Sequence, residues 1–105
     1  MELGMAGKDL KAEWRVIRKL CVCAENASMN AVEAIGVGPL EDLLGRRGDE
    51  AMDVIEPAAD SIPALLIALG GVWGWREPFR PRLDRYLATK ERQRARALKA
   101  REHRA

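Results

Sequence analysis

The sequence predicts an all-α protein: a small bundle of about five to six short helices, similar in style to helical-hairpin repeats, followed by a basic C-terminal helical tail. Three observations predict it. Apolar residues recur at spacings of three and four along most of the chain. Gly, Pro and Ser stand where such runs begin and end. No run reads convincingly as a strand. With 105 residues, 48% of them apolar and 32% charged, the chain suits one domain with a modest core.

Between Lys8 and Ala24, apolar side chains fall at Leu10, Trp14, Ile17, Cys21 and Ala24, one face of an amphipathic helix. Ser28 is placed to cap a short second helix carrying Val32 and Ile35, which Gly36 is expected to stop. Pro39 opens a third helix at its first position, with Leu40, Leu43 and Leu44 inward and Gly45 or Gly48 closing it. Asp49 caps a fourth, with Met52, Ile55 and Ala59 facing the core and a kink or early stop at Pro57. Pro63 starts a fifth, apolar on nearly every side, which belongs at the centre of the fold. After the extended tract around Pro78 and Pro81, a last helix begins near Arg82 and carries Leu83, Tyr86 and Leu87. The folded domain is assigned to residues 8–88 and the tail to residues 89–105.

The stretch VGPLEDLLGRRG, Val37 to Gly48, clusters glycines before a helix as phosphate-binding loops do. Its chemistry points the other way. Pro39 removes one backbone donor, and Glu41 and Asp42 place two carboxylates where an anion would sit. Neither G-K-[ST] nor G-x-G-x-x-G is completed. The stretch reads as helix stop, turn and restart.

Catalytic and metal chemistry find little support, and no cofactor is expected. His103 is the one histidine and lies in the tail. Cys21 and Cys23 point about 200° apart on a helix and cannot chelate together; they are expected as buried or half-buried thiols in a reducing compartment. Asp49, Asp53 and Glu56 share a helical face at spacings of four and three. They read as a solvated acidic face beside Arg46 and Arg47, or as a site for a divalent cation or an acid/base pair.

The aromatic residues divide. Trp14 and Trp73 fit core positions. Trp75 and Phe79 flank a glycine- and proline-rich connection and have two readings: contacts for a partner together with Arg76 and Arg80, or clamps for the last helix.

Charge is segregated along the chain. Residues 1–75 carry 7 Lys/Arg against 12 Asp/Glu, and residues 76–105 carry 11 against 4. Lys90, Arg92, Arg94, Arg96, Lys99, Arg101 and Arg104 lie all round a helical wheel, and Leu98 is the tail's one sizeable apolar residue. Such a tail either projects as a solvated helix or frays, and it gains order from an anionic partner. The absence of aromatics after Tyr86 argues against base stacking. The longest apolar stretch, Ile62 to Trp73, is too short to span a bilayer, and the N-terminal residues lack the features of a leader. A cytoplasmic protein is expected, with no membrane partner.

The run from Ala34 to Trp73 resembles a bacterial family of small domains of unknown function. The signature of that family is G-x-GPLEDLL, a short His-Gly or Arg-Gly turn, an I-E pair and A-L-x-x-V-W. Here those elements are Gly36 to Leu44, Arg47-Gly48, Ile55-Glu56 and Ala68 to Trp73. The resemblance covers about 40 of the 105 residues and implies a shared fold without an assigned activity. The basic extension after Trp73 departs from it.

The resulting expectation is a non-enzymatic protein-interaction module: a subunit, adaptor or small inhibitor of a larger protein or complex. Its candidate partner-binding residues are Trp75, Arg76, Phe79, Arg80, Arg92, Arg94, Arg96, Lys99 and Arg101. The alternative is a nucleic-acid-binding protein that contacts RNA or DNA phosphates through residues 89–105.

Overall fold

The structure, a computed structural model, describes residues 3–74 and 77–104. Its elements are α1 (Leu3–Cys23), a 3-10 turn (Ala24–Asn26), α2 (Met29–Ile35), a π turn (Gly36–Leu40), α3 (Glu41–Arg47), α4 (Asp49–Ala59), α5 (Pro63–Leu69), α6 (Arg80–Thr89) and α7 (Glu91–Arg104). No strand occurs among the described residues. The protein is all-α.

Helix α5 is the axis. Every side chain from Ala64 to Leu69 is buried, and α1, α2, α4 and α7 all pack on it. Its first turn lacks a capping side chain of its own, because Ile62 precedes Pro63. Glu25, in the 3-10 turn and 39 residues earlier in the chain, supplies the missing acceptor: its Oε2 takes the Ala64 N–H at 2.8 Å. A carboxylate there also suits the positive end of the helix.

Local signals set several boundaries as expected. The Ser28 hydroxyl accepts from the Ala31 N–H at 3.2 Å and caps α2. Gly48 separates α3 from α4 at φ 52, ψ −121, a conformation that disfavours any side chain. Asp49 is the first residue of α4 rather than its cap.

Gly36 and Pro57 do not act as the sequence predicts. Gly36 is right-handed helical (φ −65, ψ −45), and the chain winds on through the π turn, with Pro39 inside it. The reason lies across the core. A Cβ at Gly36 would strike the carbonyl oxygen of Ala68, so glycine is what lets α5 approach this closely. Helix α4 likewise runs through Pro57 to Ala59, which is completely buried and draws the last turn onto the core.

The basic tail neither projects nor frays along its described length. Helix α7 packs on α5, with Ala97 and Leu98 against the core. Its start is tied down where Gln93 Nε2 donates to the Asp60 carbonyl at 2.9 Å and Lys90 Nζ meets Asp60 Oδ1 at 2.9 Å.

Candidate functional site

Asp49, Asp53 and Glu56 project from one face of α4. Arg82 on α6 reaches all three. Its Nε donates to Glu56 Oε2 at 3.0 Å, one Nη to Asp53 Oδ1 at 2.9 Å, and the other to the Asp49 carbonyl at 3.2 Å, 3.6 Å from the Asp49 carboxylate. These acids therefore clamp α6 onto α4. All three acids are ion-paired to that one guanidinium. Arg46 instead bridges to Glu13 at 2.6 Å and Asp42 at 2.8 Å. Among the described residues no group of three or more His, Cys, Asp or Glu is placed to hold a metal ion.

Two other titratable groups are perturbed by structural surroundings. Burial, reinforced by the charge of Glu25, pushes the Cys21 thiol up to about 12. Burial, then a hydrogen bond to Asp60, raises Tyr86 above the usual phenol range. The Tyr86 hydroxyl donates to Asp60 Oδ1 at 2.8 Å and lies 3.1 Å from the Glu56 carbonyl oxygen. Its partner Asp60 is held below the ordinary carboxylate value by Lys90 and then by Tyr86. All of these contacts fasten elements together.

The predicted partner-binding residues separate into two kinds. Trp75 and Arg76 lie outside the described residues. Phe79 is only 2% exposed and belongs to the core, so it clamps the start of α6 and is not a surface contact. Arg80 is also buried. Its Nη1 donates to the Val72 carbonyl at 3.0 Å and its Nε to Asp84 Oδ1 at 2.9 Å. A guanidinium so enclosed orders the α5–α6 connection and is withdrawn from partners.

The tail arginines divide in the same way. Arg94 lies across Gly70 at the C-terminal end of α5, where a cation favours the helix dipole. Arg101 donates to the carbonyl of Glu25 at 3.1 Å, to that of Ala24 at 3.2 Å, and to that of Ala27. Both face the body. Arg92, Arg96 and Lys99 are exposed, and no acidic partner for them is found among the described residues. Their spacing of four and three puts them on one ridge of α7. A helical wheel alone could not separate these sets, because it shows direction without showing which carbonyls lie in reach.

Trp73 was expected in the core and is 61% exposed. Helix α5 ends at Leu69, and the Gly70-Gly71 turn breaks the periodicity that would have carried Trp73 inward. Val72 is buried just past the end of α5, and the Trp73 N–H points to Glu41 Oε1 at 3.3 Å. The glycine pair was the available signal for this. A groove of about 730 Å³ also opens between the start of α2 and α7, with Met29 and Leu98 among its walls and Arg101 at its edge. Arg101 is already held there by backbone carbonyls, so the groove presents no free guanidinium for chemistry.

The model of a family of unknown function (DUF6869) matches residues 4–90. Comparison with the curated proteins and with the solved structures gave no match. Helix α7, with its ridge of cations, lies beyond the matched residues.

Proposed function

The chain belongs to that family of unknown function, and from this premise we propose that it is a non-enzymatic protein-interaction module, serving as a subunit, adaptor or small inhibitor of a larger protein assembly. One observation carries the reading. Helix α7 turns Arg94 and Arg101 inward, Arg101 bonding to the body's carbonyls and Arg94 lying across Gly70, and leaves Arg92, Arg96 and Lys99 outward on a single ridge. Charges on an ordered helix meet a partner without the entropy cost of arranging a loose tail. Trp73 supplies a large exposed aromatic of the kind on which interfaces concentrate binding energy. The ion pairs of Asp53 and Glu56 with Arg82 support a structural role for the α4 acids rather than a catalytic one.

The test is affinity capture with nuclease present, comparing the wild-type chain with Arg92→Ala/Arg96→Ala/Lys99→Ala and with Trp73→Ala. The reading expects a nuclease-resistant protein partner whose recovery falls in both variants. Recovery unchanged in both, or small-molecule turnover that depends on Asp49, Asp53 or Glu56, would defeat it. Truncation after Ala88 is a poor substitute, because it strips Leu98 and Arg94 from the core as well as removing charge.

A second reading is favoured by the make-up of the ridge, which has cations and no aromatic side chain. It docks RNA or DNA by phosphate contacts alone. Three such contacts give a log–log salt slope of about −2.7 on duplex DNA, so affinity drops about 40-fold between 50 and 200 mM salt. A flat salt response in a polarisation titration excludes this reading.

A further inference from the structure

Helix α1 buries one face and leaves the other without a partner. Ile17 and Cys21 are buried, and Leu10 and Trp14 pack beside them. One edge of the exposed side, bordering the buried face at Leu20, carries Ala12, Val16 and Leu20, each four residues from the next, with Cys23 on the same strip. Val16 is 60% exposed and Leu20 42%. The strip advances about 6 Å per step along the helix.

Lys19 and Arg15 border it, and Lys11 and Arg18 lie farther round the helix with exposed Val22 among them; all four cations are exposed, with no acidic partner among the described residues. Glu13 is the one carboxylate in residues 10–23, and the Arg46 bridge draws it toward α3. This helix opposes the charge of the remaining body. Residues 10–23 carry 4 Lys/Arg against 1 Asp/Glu, whereas residues 24–75 carry 2 against 9.

We propose that this face of α1 docks an amphipathic helix of a protein partner, one that is apolar along a single stripe and flanked by Asp or Glu. The apolar strip provides the seam, and Arg15 and Lys19 along its edge select the sign of the flank that faces them. A second copy of the chain is the wrong occupant, since pairing α1 with itself brings both sets of cations together. An anionic bilayer fits less well than a helix. The strip offers only Ala, Val, Leu and Cys, without the bulky aromatics that seat interfacial helices. The proposal stands apart from the α7 ridge, which lies on a different helix.

Three synthetic 18-residue helical peptides test it against the full-length chain by fluorescence titration. One has a Leu stripe flanked by Glu, one the same stripe flanked by Lys, and one Glu flanks with Ser replacing Leu. The Glu-flanked Leu peptide binds at least tenfold tighter than either of the others. Val16→Ser/Leu20→Ser removes at least tenfold of that affinity, and Arg15→Glu/Lys19→Glu shifts the preference to the Lys-flanked peptide. Arg92→Ala/Arg96→Ala/Lys99→Ala leaves all three affinities unchanged, which separates this surface from the ridge. All substituted α1 residues are exposed, so circular dichroism matches the wild type. No binding, or equal binding of the three peptides, overturns the proposal. So does phosphatidylglycerol vesicle binding that depends on Val16 and Leu20 when the peptides do not bind. So does a sedimenting dimer that Val16→Ser/Leu20→Ser dissolves.

Discussion

Gly36→Ala gives the sharpest test of how the core is assembled. At an ordinary helical position this exchange stabilises by about 0.5–1 kcal/mol, because alanine loses less backbone entropy. Gly36 has right-handed helical angles, so its backbone would accept alanine. The obstacle is steric. The new methyl would overlap the Ala68 carbonyl oxygen and sit 3.2 Å from the Ala68 carbonyl carbon and 3.5 Å from its Cα. Those are backbone atoms that cannot rotate away, and the same oxygen accepts the Gly71 N–H at 2.9 Å in the turn ending α5. Overpacking of this kind costs about 1–3 kcal/mol and occasionally more. Set against the propensity gain, the net expectation is a loss of about 1–2 kcal/mol, or a Tm lower by roughly 5–15 °C for a domain of this size. Gly45→Ala is the matched control. It is also a helical glycine, but a methyl there meets nothing within 4 Å. Its Tm should rise by a few degrees. Thermal unfolding followed by circular dichroism reads both. If the two variants shift Tm in the same direction by similar amounts, the close approach of α5 to Gly36 is not what selects glycine.

Four more expectations follow from the same contacts. Native protein should react at one thiol per chain with a disulfide reagent, since Cys23 is exposed and Cys21 is buried; both should react after unfolding. Cys21 and Tyr86 both have raised values in the native state, so their contribution is complete at low pH and fades as pH rises. Tm should hold until about pH 8.5 and then fall, with Tyr86→Phe falling less steeply above about pH 10. Arg101→Ala should leave α7 helical but loosen its end, seen as faster hydrogen exchange of α7 amides relative to those of α5. Glu25→Ala removes the α5 cap and should cost about 1 kcal/mol in urea unfolding, with Glu25→Gln closer to wild type.

Ser28, Gly48 and Pro63 were legible in the sequence because each acts on its own neighbours along the chain. Features that depend on distant partners were not. Gly36 reads as a stop because nothing nearby in sequence reveals that Ala68 will press against it. Asp49 and Asp53 are exposed as a solvated face should be, but their pairing, and that of Glu56, with Arg82 was not legible because Arg82 is far along the chain. The tail read as surplus charge, yet two of its arginines lay their long stems inward and reach the body, a use of side-chain length that a wheel of charges does not display. The charge pattern treated Arg92, Arg94, Arg96, Lys99 and Arg101 alike, whereas only Arg92, Arg96 and Lys99 are exposed. Apolar spacing misplaced Trp73, because a helix face has no meaning past its last turn.

The wide turn at Gly36–Leu40 makes this part of the chain sensitive to length. It houses one residue more than ordinary winding would, and α3 inherits its orientation from that surplus. Deleting a single residue there would rotate everything from Glu41 to Arg47 by about 100°. Leu43 and Leu44, both fully sequestered, would swing out of the core that α3 shares with α1 and α4, and Arg46 would leave Glu13. Exposed Val37 can change its side chain freely, whereas the count of residues between Gly36 and Leu40 cannot change without unseating the helix that follows.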